Sequence, residues 1–204
     1  MMGKCVYYVC PFLILLFALG CLTPVKVNPL QKLYLDPHIR VNKGVCSGYS
    51  IALREVEYSR AIANYVAYIT DDGVLHYDET QQWAEHPTEV VFRVVCKTLK
   101  ETGRFRDIDD VVKIKNPDFI GFVDLRKFFI RDFSDKTEFV FSVHFKIRNA
   151  RTGEVVAEKE FEVVKPYTCS ENITAVVNQT LGEFAIQLAE FVNNAPLCGS
   201  VEKS

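Results

Sequence analysis

The chain reads as an α/β protein, one soluble domain of strands and two main helices behind an apolar amino-terminal segment. Three observations predict this. Phe139, Phe141, Val143, Phe145 and Ile147 alternate with Ser142, His144, Lys146 and Arg148, the period of a strand with one buried and one wet face. Val91, Val95 and Leu99 recur at i, i+4 and i+8, while Ile173, Val177, Leu181, Phe184, Leu188 and Phe191 trace a second helical stripe near the end. With 204 residues, 49% of them hydrophobic and 25% charged, the chain can bury one ordinary core, so a single domain is expected.

The first twenty residues carry a single charge, Lys4, ahead of an uncharged stretch over 5–24 whose most apolar part is 11–19. That is the layout of a signal peptide, which an uncleaved anchor or an ordinary secretory signal would share, since about 18 apolar residues is the borderline length for spanning. The string Ala18-Leu19-Gly20-Cys21 resembles the bacterial lipobox, in which small residues admit the peptidase and the cysteine thiol receives diacylglycerol. The resemblance implies a signal peptide over 1–20 and lipidation at Cys21. Three palmitate-type chains would make detachment negligible, because each buried CH₂ adds about 0.8 kcal/mol. Residues 22–45 contain Thr23, Pro24, Asn28, Pro29 and Pro37 without sustained periodicity, so 21–45 reads as a lipidated tether, docked by a short strand at 33–35.

The domain proper is expected over 46–196, with a flexible tail at 197–204. A first strand is predicted over 51–59, then a hairpin of 65–69 with 74–78 around Thr70-Asp71-Asp72-Gly73, where Asp-Gly suits a tight turn. Residues 83–102 follow as a helix, with Pro87 in the first turn and Gly103 just past the end. Residues 119–133 form a long strand beside the alternating one, which turns through Arg151-Thr152-Gly153 into another strand at 155–164. The last helix spans 172–193, with a capping box in 168–171, a stop at Pro196, and Gly182 marking a close approach to the sheet.

Chemistry-bearing motifs are sparse. Once the signal is removed and Cys21 acylated, Cys46, Cys96, Cys169 and Cys198 remain as thiols in a compartment that permits disulfides, and no CxxC occurs. Cys169 and Cys198 flank a helix about 30 Å long, whereas a disulfide needs α-carbons within about 7 Å, so they are not expected to pair unless the tail folds back along the helix. Cys96, inside an apolar helix, reads as a buried thiol; Cys46 with Cys169 or Cys198 stays open.

His38, His76, His86 and His144 fall on the tether, a hairpin, a helix start and a polar strand face, without metal spacing, so neither metal nor cofactor is expected. His76 with Asp78 and Glu79 reads as a hydrated hairpin edge. No GxSxG, phosphate loop or GxGxxG is present, which argues against an enzyme. Formal net charge is -2, or -3 without the first twenty residues, and no basic run exists to neutralise phosphates, so nucleic acid is not a partner.

The string Gln82-Trp83-Ala84-Glu85, followed by Pro87 and an apolar helix, resembles the auxiliary lipoprotein components of ABC-type transport systems, including the paraquat-inducible type. The likeness runs from Tyr34-x-Asp36-Pro37 through the strand ending near Tyr58, Asp118-Phe119, Asp132-Phe133 and the Thr152-Gly153 hairpin to the closing helix. It implies a three-layer α/β sandwich with a mixed sheet, anticodon-binding-like, that catalyses nothing. It further implies a periplasmic lipoprotein at the inner face of the outer membrane, a location with which Leu22 after the acylated cysteine agrees. There it would serve intermembrane lipid transport by docking a mammalian-cell-entry-domain protein and its ABC transporter, as a homo-oligomeric ring. Two other readings stand beside this one. One is a lipid- or small-ligand-binding module whose pocket is lined by Phe119, Phe122, Phe128, Phe129, Phe139, Phe141 and Phe145; the other is an assembly factor for an outer-membrane complex.

Overall fold

In the computed structural model, which describes residues 29–45, 48–168 and 172–197, the periodic segments become nine strands and two helices among those residues. In chain order they are β1 (Gln31–Leu33), β2 (Ser50–Leu53), β3 (Glu57–Tyr58), β4 (Tyr65–Thr70), β5 (Leu75–Trp83), α1 (Pro87–Thr102), β6 (Asp107–Asp110), β7 (Phe119–Asp132), β8 (Thr137–Asn149), β9 (Val155–Pro166) and α2 (Ile173–Asn194).

The spine of the sheet is β7. Along one whole edge it pairs antiparallel with β8, from Phe119 opposite Asn149 to Asp132 opposite Thr137, and β9 pairs antiparallel with β8. Three short parallel partners share its other edge in succession: β2 at Phe119, β3 at Asp124 and β4 at Ile130. β6 lies parallel to β2, β5 antiparallel to β4, and β1 parallel to β5. The sheet is mixed, and with the two helices, which pack together on one of its faces, it forms an α/β sandwich.

Burial follows strand period. Phe139, Phe141, Val143, Phe145 and Ile147 are all sealed from solvent, under Phe184 and Phe191 of α2. α1 packs beside α2 and buries Val91, Val95 and Leu99 in the same core. On β7 the inward set is Phe119, Gly121, Val123 and Leu125, and then Phe128 and Ile130. The change of parity is a bulge between Leu125 and Lys127, which turns Arg126 and Lys127 both outward and returns Phe128 to the core. The β8–β9 turn places Gly153 at φ 76°, and Asn149 Oδ1 accepts the amides of Arg151 and Thr152.

Several expectations are corrected. The segment expected to be a tether as far as residue 45 is built into the body from Leu33 on: Leu33, Leu35 and Ile39 are buried, and the carbonyl of Leu35 accepts from Arg93 of α1 at 3.2 Å. Alternate apolar residues on an extended strap bury as well as those on a helix, and the prolines hid that period. The strap's carbonyl at His38 is what lies against Gly182, where an added Cβ would meet it at 3.5 Å, so the close approach is to the strap. At the other end Leu197, expected to open the tail, is fully buried.

The predicted 51–59 strand breaks into β2 and β3, and the docking strand falls at β1. Residues 83–86 are not helical: Trp83 ends β5, and α1 starts at Pro87 behind His86, whose Nδ1 accepts the Thr88 amide at 3.3 Å. α2 is capped by Asn172, whose Oδ1 accepts the Thr174 amide at 3.0 Å, while Glu171 of the expected capping box lies outside the described residues. β6 was not anticipated; its run Asp107-Ile108-Asp109-Asp110 carries little strand signal alone and is held by pairing with β2.

Candidate functional site

The face of the sheet turned away from the helices carries the exposed chemistry. Strand parity puts Phe122 and Asp124 of β7, Ser142, His144, Lys146 and Arg148 of β8, and Glu158, Glu160 and Glu162 of β9 on this side, in register across the strands. Arg126, pushed out by the bulge, bridges two rows: Nε reaches Asp124 at 3.0 Å and Nη1 reaches Glu160 at 3.0 Å. Glu160 also accepts from Ser142 at 3.2 Å. The guanidinium holds the Glu160 carboxyl below its ordinary range, and Asp124 and Glu160 in turn raise Arg126. Lys127 pairs with Glu162 at 2.9 Å, and His144 approaches Glu158 at 3.8 Å. Solvent-exposed pairs of this kind add little stability each, but they fix where charge is displayed.

Beside these neutralised rows lies an excess of positive charge. The half-buried Phe122 ring has Arg148 Cζ at 5.1 Å, Lys146 Nζ at 5.2 Å and Arg54 Cζ at 5.3 Å from its centroid. Backbone pairing causes the convergence. Lys146 is the direct cross-strand partner of Phe122, Arg148 is two residues along the same face, and the Arg54 amide donates to the Gly121 carbonyl at 3.0 Å. Lys146 and Arg148 border a depression of about 360 Å³ whose lining also includes Arg126, Asp124, Glu55 and Glu57. A neighbouring depression is lined by Arg54, Glu55, Glu57, Asp110, Val111 and Val112, and Val112 is 85% exposed.

Start and spine of the sheet are clasped together: Asp118 Oδ2 accepts from the Ser50 amide at 2.8 Å and its hydroxyl at 2.9 Å. This clasp and the elements around it fall within residues 40–189, which match the model of the ABC-type transport auxiliary lipoprotein component. The chain belongs to that family. Among solved structures, protein XCC0632 from Xanthomonas campestris superimposes with TM-score 0.68 at 16% identity, covering 79% of this chain and 95% of that one. An uncharacterized protein gives TM-score 0.59 at 14% identity, over 79% and 97% of the two chains. The PelC dodecamer from Paraburkholderia phytofirmans gives 0.45 at 14% identity, over 74% and 93%, too distant to bear on assembly here. At such identities the likeness concerns the fold alone. No curated protein matches the chain.

Within the chain, the residues singled out from sequence separate. Cys21 lies outside the described residues, as do Cys46, Cys169 and Cys198. Cys96 on α1 is half-buried, and burial pushes its thiol up to about 11, so it is protonated and unreactive near neutral pH. His38 is on the strap, His76 on β5, His86 caps α1 and His144 faces outward on β8, four separate places. Trp83 is buried with its ring edge-on to Phe128 at 5.5 Å, which gives the Trp-Ala-Glu string a packing role at the β5–α1 junction.

Of the aromatics named for a pocket, Phe119, Phe128, Phe139, Phe141 and Phe145 are buried in the core, whereas Phe122 and Phe129 face the other way. Sequence reasoning missed Arg54, Arg126 and the exposure of Phe122. The parity of Phe122 was readable from Phe119, three residues before it on the opposite face; the bulge at Arg126 left no comparable signal.

Proposed function

We propose that this chain is a non-catalytic auxiliary component of an ABC-type intermembrane lipid transport system. It is held on the periplasmic side of the outer membrane by acylation of Cys21, and it docks a mammalian-cell-entry-domain transport protein and the associated ABC transporter as a homo-oligomer. The observation that carries this reading is the family match over 40–189, behind a segment ending in Ala18-Leu19-Gly20-Cys21. The physics supports it: an acyl anchor sets the height of the domain, and confinement to the bilayer raises the effective concentration of partner surfaces. A rigid core supports docking over enclosure of a lipid, because the inward aromatics contact one another and α2, as in the pairs of Phe184 with Phe141 at 5.1 Å and with Phe161 at 5.4 Å.

Replacing Cys21 with Ala and fractionating cells tests the anchor. Loss of the chain from the membrane fraction is expected, and retention would point to a spanning segment and overturn the anchor. Cross-linking the wild-type chain in intact cells tests the docking: adducts with the mammalian-cell-entry-domain protein are expected, and their absence under conditions that trap the transporter's own subunits overturns the role.

A further inference from the structure

A Phe ring on the wet face of a sheet is unusual, and three cations on one ring are more so. Each gains from the ring's negative faces, yet the three also repel one another, and none forms an ion pair among the described residues. Of the nearby carboxylates, Asp124 is already held by Arg126, Glu158, the cross-strand partner of Lys146, approaches His144 at 3.8 Å, and Glu55 and Glu57 are exposed on the rim. Arg148 adds a second sign of incompleteness: its Nε is buried and meets no acceptor among the described residues, a costly state for a charged donor. Two guanidinium groups and an ammonium around one ring, Lys146 and Arg148 on one depression and Arg54 on the next, match the tetrahedral oxygens of a phosphate ester. Arg54 also borders Val111 and Val112, which project from the turn after β6, so the cations adjoin an exposed apolar element. A free inorganic ion has no use for that element, whereas a lipid headgroup at a bilayer surface does.

We propose that Arg54, Lys146 and Arg148, gathered on Phe122, bind the phosphate of an anionic phospholipid headgroup, with Val111 and Val112 resting in the adjacent membrane interface. This site is independent of acylation at Cys21 and of partner docking; neither is needed for the charges to converge.

The test mixes the full-length chain with vesicles of phosphatidylcholine alone or of phosphatidylcholine with phosphatidylglycerol, and reads the rate of amine labelling at Lys146 by peptide mass spectrometry. Lys97 and Lys159, both exposed and away from Phe122, serve as references. Lys146 is expected to label at least about threefold more slowly with phosphatidylglycerol, and raised salt should remove the difference. Arg54→Gln, at an exposed position that cannot disturb the core, should abolish it, and Arg148→Gln should do the same wherever its melting temperature is retained. Equal Lys146 rates with both vesicles overturn the proposal, as does equal slowing at Lys97 and Lys159. Slowing by millimolar inorganic phosphate but not by phosphatidylglycerol makes the site one for a free ion and overturns the headgroup. Slowing by a polyglutamate peptide alone would do so in favour of a protein partner. Flotation of both mixtures reports the anchor separately, because an acylated chain rises with either vesicle.

Discussion

Phe141 and Phe122 belong to the same β7–β8 ribbon and differ mainly in which side of it they face. Phe141 is sealed, with Phe184 at 5.1 Å and Phe128 at 6.2 Å. Phe122 is half-buried, and its ring is covered by charge. On the inner face identity is set by volume, since any apolar group that fills the space under α2 would serve; on the outer face it is set by register, because shifting one strand by a residue would exchange every charge for a hydrophobe. The packed face therefore holds the outer one in place, and the outer one is free to carry recognition.

The sharpest way to break this contrast is to truncate both rings. Phe141→Ala should cost about 3–5 kcal/mol, because it leaves a cavity among Phe128, Phe184 and Val163 that the sheet and helix cannot close. Phe122→Ala should cost about 1–2 kcal/mol, the loss of a partly exposed ring and its cation contacts. Urea unfolding of the two variants measures the difference. Equal losses would mean that the outer ring is structural and that the two faces are not divided as described.

How much of this was legible depends on the face. Phe139, Phe141, Val143, Phe145 and Ile147 announced both a strand and its buried side, and the stripe from Ile173 to Phe191 announced the helix covering it, because period alone separates core from solvent in regular elements. Gly103 and Gly153 likewise appeared as a helix end and a turn and adopt left-handed backbone there. Where period is interrupted the reading failed. The bulge at Arg126 is a tertiary accommodation with no local code, and the strap at Leu33, Leu35 and Ile39 alternates between prolines that suggested a linker. β6 is strand only because β2 lies beside it. The cation cluster is illegible for the same reason: Arg54 lies 92 positions before Lys146, and only the parallel pairing of β2 with β7 joins them.

The next largest effect probes how closely β2 and β7 approach. A Cβ on Gly121 would stand 2.5 Å from Leu53 Cδ2 and 3.4 Å from Ile51 Cδ1, both on fully buried side chains with little room to retreat. Gly121→Ala should therefore destabilise by about 1–3 kcal/mol despite the usual gain from removing a glycine in a strand. The midpoint of urea unfolding reads it. Neutral or stabilising behaviour would show that β2 can shift away from β7, in which case Arg54 is not rigidly placed beside Phe122.

The smallest effect separates the faces by pH. Glu160 is held below its ordinary range first by its hydrogen bond to Arg126, with Ser142 assisting, so the unfolded chain binds its proton more readily than the folded one. Its contribution is then complete above the ordinary glutamate range and is lost as pH falls through the lowered folded value. Glu160→Gln should lower the melting temperature slightly at neutral pH, and the gap from wild type should close on acidification below pH about 4 and shrink with added salt. Phe141→Ala carries no titrating group at the site, so its deficit should stay nearly constant over the same range. If the Glu160→Gln gap instead persists unchanged into acid, Arg126 is not drawing its position from Glu160, and the rows of charge on the open face are consequences of the fold rather than part of what orders it.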